Sequence, residues 1–188
     1  MHKNKTLKRD GWIRFNAAHF KREAHVDFQL VRATENDLPF IMAIERREGY
    51  DAFVGRWDES RHRQAIFDDS HAYFVGVDGS VPIGFVILRQ WASVERVTLV
   101  KRIAVVAPGQ GHGRMLLAAA VDRVFVETDA YRLCIGLFPD NHRARRAYEA
   151  VGFTAEGIAR GSAFFKGVHR DELVMAQLRP EWENRRSG

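Results

Sequence analysis

The run from Val97 to Val126 constrains this chain most. Val97, Thr98, Val100, Ile103, Val105 and Val106 crowd β-branched side chains into one short stretch, the pattern of a strand. Pro108-Gly109-Gln110-Gly111-His112-Gly113 follows, and the spacing then predicts a helix opening at Arg114. Its face is Leu117, Val121, Val124 and Phe125, with Ala118, Ala119 and Ala120 supplying propensity. Glycines at 109, 111 and 113 allow positive φ and a close backbone approach to a ligand. They also leave the first-turn N–H groups pointing outward, at the positive end of the helix dipole. That geometry suits an anion, phosphate in particular, and Arg114 adds a fixed charge.

Three readings compete for the loop: a ligand-free connection, a dinucleotide fold and a pyrophosphate loop. The dinucleotide fingerprint needs G-x-G-x-x-G, whereas the spacing here is G-x-G-x-G. Asp129 lies about 20 residues on, as that fingerprint asks, but it precedes the next strand (Tyr131 to Leu137) instead of ending it. No Gly-Lys-Ser/Thr follows, so the loop is not a nucleotide P-loop.

The run Arg102-Ile103-Ala104-Val105, then Pro108 to Arg114, then an apolar helix, resembles the acetyl-CoA motif of the GNAT N-acetyltransferases. Downstream, Asn141-His-Arg-Ala144-Arg-Arg-Ala147-Tyr148-Glu-Ala-Val-Gly152-Phe153 is similar to the family's second motif. The resemblance covers Phe28 to Leu178 and implies acetyl-CoA as co-substrate. Its pyrophosphate would lie on the main-chain amides of Gly109, Gln110, Gly111, His112, Gly113 and Arg114. Its pantetheine arm would pair with Ile103, Ala104 and Val105 like an extra strand, with Asn141 hydrogen-bonding the arm. Tyr148 becomes the candidate general acid. Aligned on Gly111 and Gly113, the loop carries Pro108 where the family has Gln or Arg, and proline offers no donor. Gln110 or Arg114 is expected to substitute.

The base is less legible. The family often carries a Glu on the central strand, yet Thr98 and Lys101 hold its middle here and Glu95 lies at its edge. Glu95 is therefore the candidate, acting through water, against a plain solvated hairpin charge. The implied reaction is direct acetyl transfer to a primary amine of a small molecule or a protein N-terminus. Arg170 to Met175 and Arg179-Pro180-Glu181-Trp182 look closest to members that acetylate small amines or ribosomal-protein N-termini. A non-catalytic module that binds coenzyme A and regulates or scaffolds a partner is the alternative.

Around this centre the chain alternates strands and helices. Phe28 and Leu30 start a strand, and Thr34 with Asp37 caps a helix buried through Leu38, Ile41 and Ile44. Tyr50, Phe53 and Trp57 form an aromatic loop that either lines the acceptor site or caps the core. A short helix covers Asp58 to Phe67. Ala72 to Val77 and Val81 to Gln90 form a hairpin at Asp78-Gly79, and a turn at Trp91 to Glu95 leads into the central strand. Thr154 to Arg160 and His169 to Leu178 end the set, with Gly161 to Gly167 between them. The fold expected is α/β, a three-layer α/β/α sandwich around a mixed, mostly antiparallel seven-stranded sheet, the GNAT fold. Residues 27–178 form the domain, 1–26 a basic extension and 179–188 a polar tail.

Apolar content of 46% with 28% charged residues describes a soluble globular domain, and no run approaches the length of a membrane span. A cytoplasmic setting is expected, and a homodimer is compatible with it. Seven Lys and Arg against two acids in residues 1–26 account for the chain's formal +5. The basic character thus belongs to an arm, either a poorly ordered extension or one that touches ribosome or RNA. Cys134 reads as a small hydrophobe rather than a nucleophile. The 8 histidines fall in no metal-ligand spacing, so no metal is expected.

Overall fold

The computed structural model describes residues 27–187, so the basic extension lies outside the described residues. Seven strands form one sheet in the order β1-β2-β3-β4-β5-β7-β6. They are β1 (Phe28–Arg32), β2 (His71–Asp78), β3 (Val81–Arg89), β4 (Val97–Val105), β5 (Arg132–Leu137), β6 (Thr154–Phe165) and β7 (Val168–Leu178). Every neighbouring pair is antiparallel except β4 with β5. One face carries α3 (His112–Glu127) and α4 (His142–Val151). The other carries a 3₁₀ turn (Glu35–Asp37), α1 (Leu38–Glu45) and α2 (Glu59–Ile66). This is the three-layer α/β/α arrangement the sequence implies. Among the described residues no helix is long and apolar enough to cross a membrane.

The two faces bury separate cores. On the α3 side Leu116, Leu117, Val124 and Phe125 pack against Phe74, Val86, Leu88, Leu133 and Ile135. Each such side chain contributes about 1.5–3 kcal/mol on burial. Gly84 brings α3 close: a Cβ there would lie 2.6 Å from the Ala104 carbonyl and 3.1 Å from Leu116. On the other side Leu38, Ile41 and Ile44 of α1 meet Tyr73, Phe85 and Ile87. Thr34 and Asp37 close a reciprocal capping box at the start of that segment.

A bulge shapes the centre of the sheet. Leu88 faces Val100 while its neighbour Ile87 faces Arg102, so Lys101 is the extra residue on β4. Bulges add local twist. β4 accordingly leaves β5 there, and their pairing ends at Val100 opposite Ile135. Beyond that point the two strands fork.

Under the fork lies a buried charged cluster. Glu45, fully buried, takes a hydrogen bond from Arg102 at 2.5 Å and one from His62 Nε2 at 3.2 Å. A carboxylate only accepts, so Nε2 donates to Glu45, and Nδ1 pairs with the Tyr73 hydroxyl at 3.2 Å. Burial pushes that phenol up to about 12, so it stays a donor. Burial likewise pulls the Arg102 guanidinium below its ordinary value, with Glu45 opposing. Trp57 covers Arg102, its ring 4.6 Å from the guanidinium carbon.

Two boundaries after α4 differ from the sequence reading. The segment Gly161 to Phe165 continues β6, with an irregular register between Ala159 and Ala163, and the turn is confined to Lys166-Gly167. Residues 179–188 are not simply a polar tail, because Arg179–Ser187 forms helix α5. Arg179 donates to the carbonyls of Phe125, Thr128 and Ala130 at 2.7–2.9 Å, and Trp182 stacks on Phe125 and donates to Asp122. Two anchors hold a segment whose composition is otherwise that of a solvated end.

The cluster yields a stability test. Arg102→Leu leaves Glu45 buried without its main partner, and unfolding free energy in urea should fall by about 3–5 kcal/mol. A loss below about 1 kcal/mol would show that the pair does not hold β4 in place.

Candidate active site

The fork opens into a pocket of about 240 Å³ between β4, β5, the glycine loop and α4. Each wall has a local cause. Gly109 and Gly111 take φ of +91° and +83°, values that other residues adopt only with strain, and so turn the chain from β4 into α3. The helix opens at His112, two positions before the expected Arg114, with Gly111 as its N-cap and no side chain capping it. Met115 makes the first intrahelical bond, to the Gly111 carbonyl. The first-turn amides, that of Gly113 among them, therefore lie ahead of that bond, at the positive end of the helix. Gly113 has neither positive φ nor a protein atom within 4 Å of where a Cβ would sit. The fold does not require glycine there, whereas an anion seated on these amides does. The residues present thus fit a pyrophosphate.

The long walls come from strand and helix. Val106 donates to Ile83 at 2.8 Å on the β3 side, so alternation turns the main chain of Ala104 toward β3 and those of Ile103 and Val105 toward the fork. Val105 is already engaged: the Tyr50 hydroxyl donates to its carbonyl at 2.7 Å and accepts from its N–H at 3.1 Å. Of the expected trio, Ile103 therefore presents the main-chain groups in the slot, and Tyr50 completes the rung beyond it. Opposite, Asn141 starts α4 by accepting from the Ala144 N–H at 3.1 Å, and Gly152, φ +116°, ends it. Asn141 and Gly152 of the second motif are thus helix boundaries, and they set Tyr148 two turns in. Tyr148 packs on Phe153 and faces the pocket. Desolvation, then Tyr50, holds its phenol above the ordinary tyrosine value, so it is protonated and a donor through the neutral range.

The structure brings together Ile103, Ala104, Val105, Gly109, Gly111, Gly113, Arg114, Asn141 and Tyr148 around this pocket. The side chains of Gln110 and His112 do not line it: Gln110 is exposed and His112 is buried, which leaves their expected role, through main-chain amides, unaffected. Of the two side chains expected to replace the donor lost at Pro108, Arg114 lines the pocket and Gln110 does not. Glu95 sits exposed in the β3–β4 turn. The eight positions from Val97 to Val105 put it about 26 Å from the pocket end of β4. Its assignment as base is corrected: a hairpin charge at the opposite end of the strand cannot reach the slot. Tyr50 and Phe53 line the pocket, while Trp57 belongs to the buried cluster. Gly136, Phe138 and Arg143 also line it, and the sequence reading did not single them out. Cys134 is half-buried, its thiol pushed up by burial, with Arg132 Nε donating to the sulfur.

A mixed sheet forked beside a helix N-terminus, with a pocket in the fork, defines a three-layer α/β protein with a site suited to a long phosphorylated ligand. The chain belongs to the acetyltransferase (GNAT) family, whose model matches residues 38–153. YjcK of Bacillus subtilis, provisionally named an N-acetyltransferase, is 36% identical over 75 residues, 40% of this chain and 41% of that protein. YdaF of the same organism, provisionally named a ribosomal N-acetyltransferase, is 31% identical over 75 residues, 38% and 41% of the two chains. The chain thus matches about two fifths of the length of these curated relatives. Among solved structures, a spermidine N-acetyltransferase from Vibrio cholerae in complex with CoA and spermine superposes with TM-score 0.72 at 23% identity, covering 85% of this chain and 99% of that one. A spermidine/spermine N-acetyltransferase from the same organism, in complex with manganese ions, gives 0.70 at 24% identity, covering 86% and 98%. At this identity the likeness is one of fold.

Gly113→Val tests the loop. The folded protein should keep its unfolding midpoint within a few degrees and lose acetyl-CoA affinity by about 10²-fold or more by calorimetry, since each tenfold is 1.4 kcal/mol. Unchanged affinity would place the pyrophosphate elsewhere. Tyrosinate absorbance offers a second check: the wild-type minus Tyr148→Phe difference should appear only above pH 10.0, the ordinary phenol value.

Proposed function

We propose that the protein transfers the acetyl group of acetyl-CoA directly to a primary amine, on a small molecule or a protein N-terminus. The observation that carries this reading is the position of Tyr148, whose phenol faces the pocket that Ile103 and the glycine loop also line. Direct transfer needs the amine and the thioester aligned and a proton for the departing thiolate. Main-chain pairing at Ile103 and anion binding at Gly109 to Arg114 supply the alignment, and Tyr148 the proton. The aromatic side chains Phe53 and Phe138 line the pocket and form the wall an acceptor meets. The relatives' names carry the words ribosomal and spermidine, so ribosomal-protein amines and spermidine both belong in the acceptor panel.

A second reading is a non-catalytic coenzyme A-binding module, and the distance of Glu95 from the slot favours it. Thiol release separates the two. With an accepted amine, Tyr148→Phe should lower turnover by about 10²-fold or more while acetyl-CoA affinity holds within a few fold. An equal rate in wild type and variant would remove Tyr148 from the reaction. No thiol release from wild type with spermidine or any N-terminal peptide would favour the module.

A further inference from the structure

Resting on the acetyl-transfer reading above, we propose that Glu172 is the proton acceptor of the reaction. Gly136 is the first β5 residue past the last β4–β5 pair and lines the pocket at the fork. β7 runs antiparallel beside it with Val174 opposite Gly136, so Glu172 lies one diagonal step away on the same face. Its side chain reaches over the glycine. A Cβ at Gly136 would lie 2.8 Å from Glu172 Oε1, so the missing side chain is what admits the carboxylate to the fork. Ser162 fixes it from β6, donating to Oε2 at 2.8 Å. The neighbouring charges on β7 are turned elsewhere: Arg170 stacks on Phe138 and reaches Asp140, and Asp171 accepts from the Gly161 N–H. From β4 the bulged Lys101 faces Glu172. Burial, Arg102 and Arg89 weaken the hold of that ammonium on its proton, and Glu172 opposes them.

Glu172 stands on the sheet face of α1 and α2, whereas Tyr148 enters from the face of α4. Proton uptake and proton delivery thus come from opposite sides of the slot. The carboxylate takes one proton from the acceptor's ammonium and frees the nitrogen lone pair. That pair forms the C–N bond at the thioester carbonyl, and the C–S bond breaks with its electrons going to sulfur. The sulfur takes the Tyr148 proton, and the phenol is restored by the second proton leaving the new amide nitrogen. One proton, held by Glu172, is released to solvent for each amide formed.

The test is the pH dependence of kcat/KM for thiol release with an accepted amine, alongside acetyl-CoA affinity. In Glu172→Gln, affinity should stay within a few fold while turnover at pH 7 falls by about 10²-fold or more, with partial recovery toward high pH as free amine accumulates. Glu172→Asp should restore part of the loss. Ser162→Ala removes a hydrogen bond to the charged form, so the acid limb of its profile should move to higher pH. A purely structural carboxylate would shift neither limb. An active wild type with an unchanged rate and profile in Glu172→Gln overturns this proposal and leaves the acetyl-transfer reading standing. A wild type that releases no thiol overturns both.

Discussion

One extra residue on β4 governs the site. With Lys101 bulged out of register, β4 turns away from β5 after Val100, and a sheet that would otherwise be continuous opens along its centre. An open edge inside a protein exposes main-chain donors and acceptors, which is costly unless they are met. Tyr50 meets those of Val105 with a single hydroxyl. Ile103 is left for a ligand that pairs like a strand. The Glu45–Arg102 pair then braces the diverging half of β4 from below. Such a pair adds little net stability over a well-packed apolar substitute. Its value is positional, because it specifies where β4 goes once the ladder to β5 has ended.

The glycine loop depends on that brace. Its anion-binding amides are useful only if α3 begins at the mouth of the fork, and the Leu116 contact over Gly84 fixes that position. The same helix is held at its other end by α5, through Arg179 and Trp182. A segment far from the slot thereby helps to aim the helix N-terminus at it.

Much of this was legible in the sequence because it is encoded locally. β-Branched density, the glycine triplet, the capping box and the Asn141 to Phe153 run each specify an element or its ends within a dozen residues. What escaped depends on pairing between distant positions. Glu95 looked near the site because it adjoins the central strand in sequence, yet a strand carries its two ends far apart. Glu172 looked like one charge among three in Arg170-Asp171-Glu172, and only the β5–β7 register lays it over Gly136. Tyr50 reaches Val105 across 55 positions. The Gln110 and His112 side chains, one exposed and one buried, are separated by the left-handed turn at Gly111, which no pattern in the sequence spells out. Arg179 and Trp182 were hidden in a segment whose average composition is polar.

The two halves of the pocket are held by interactions of different strength. Buried pairs and packed side chains fix the cofactor half, where Arg102, Tyr50 and Leu116 are all buried. Exposed contacts join the acceptor half: Lys166 of the β6–β7 turn bridges Asp51 at 3.1 Å, and Arg170 reaches the Ala52 carbonyl at 3.3 Å and Asp140 at 3.4 Å. Pairs of that kind are worth about 0–1 kcal/mol and weaken with salt. They tie the loop after α1 to the β6–β7 hairpin, and with it Phe53 and Phe138 of the pocket, without locking either in place. A wall held by such contacts can adjust without disturbing the buried pairs around Arg102 and Val105.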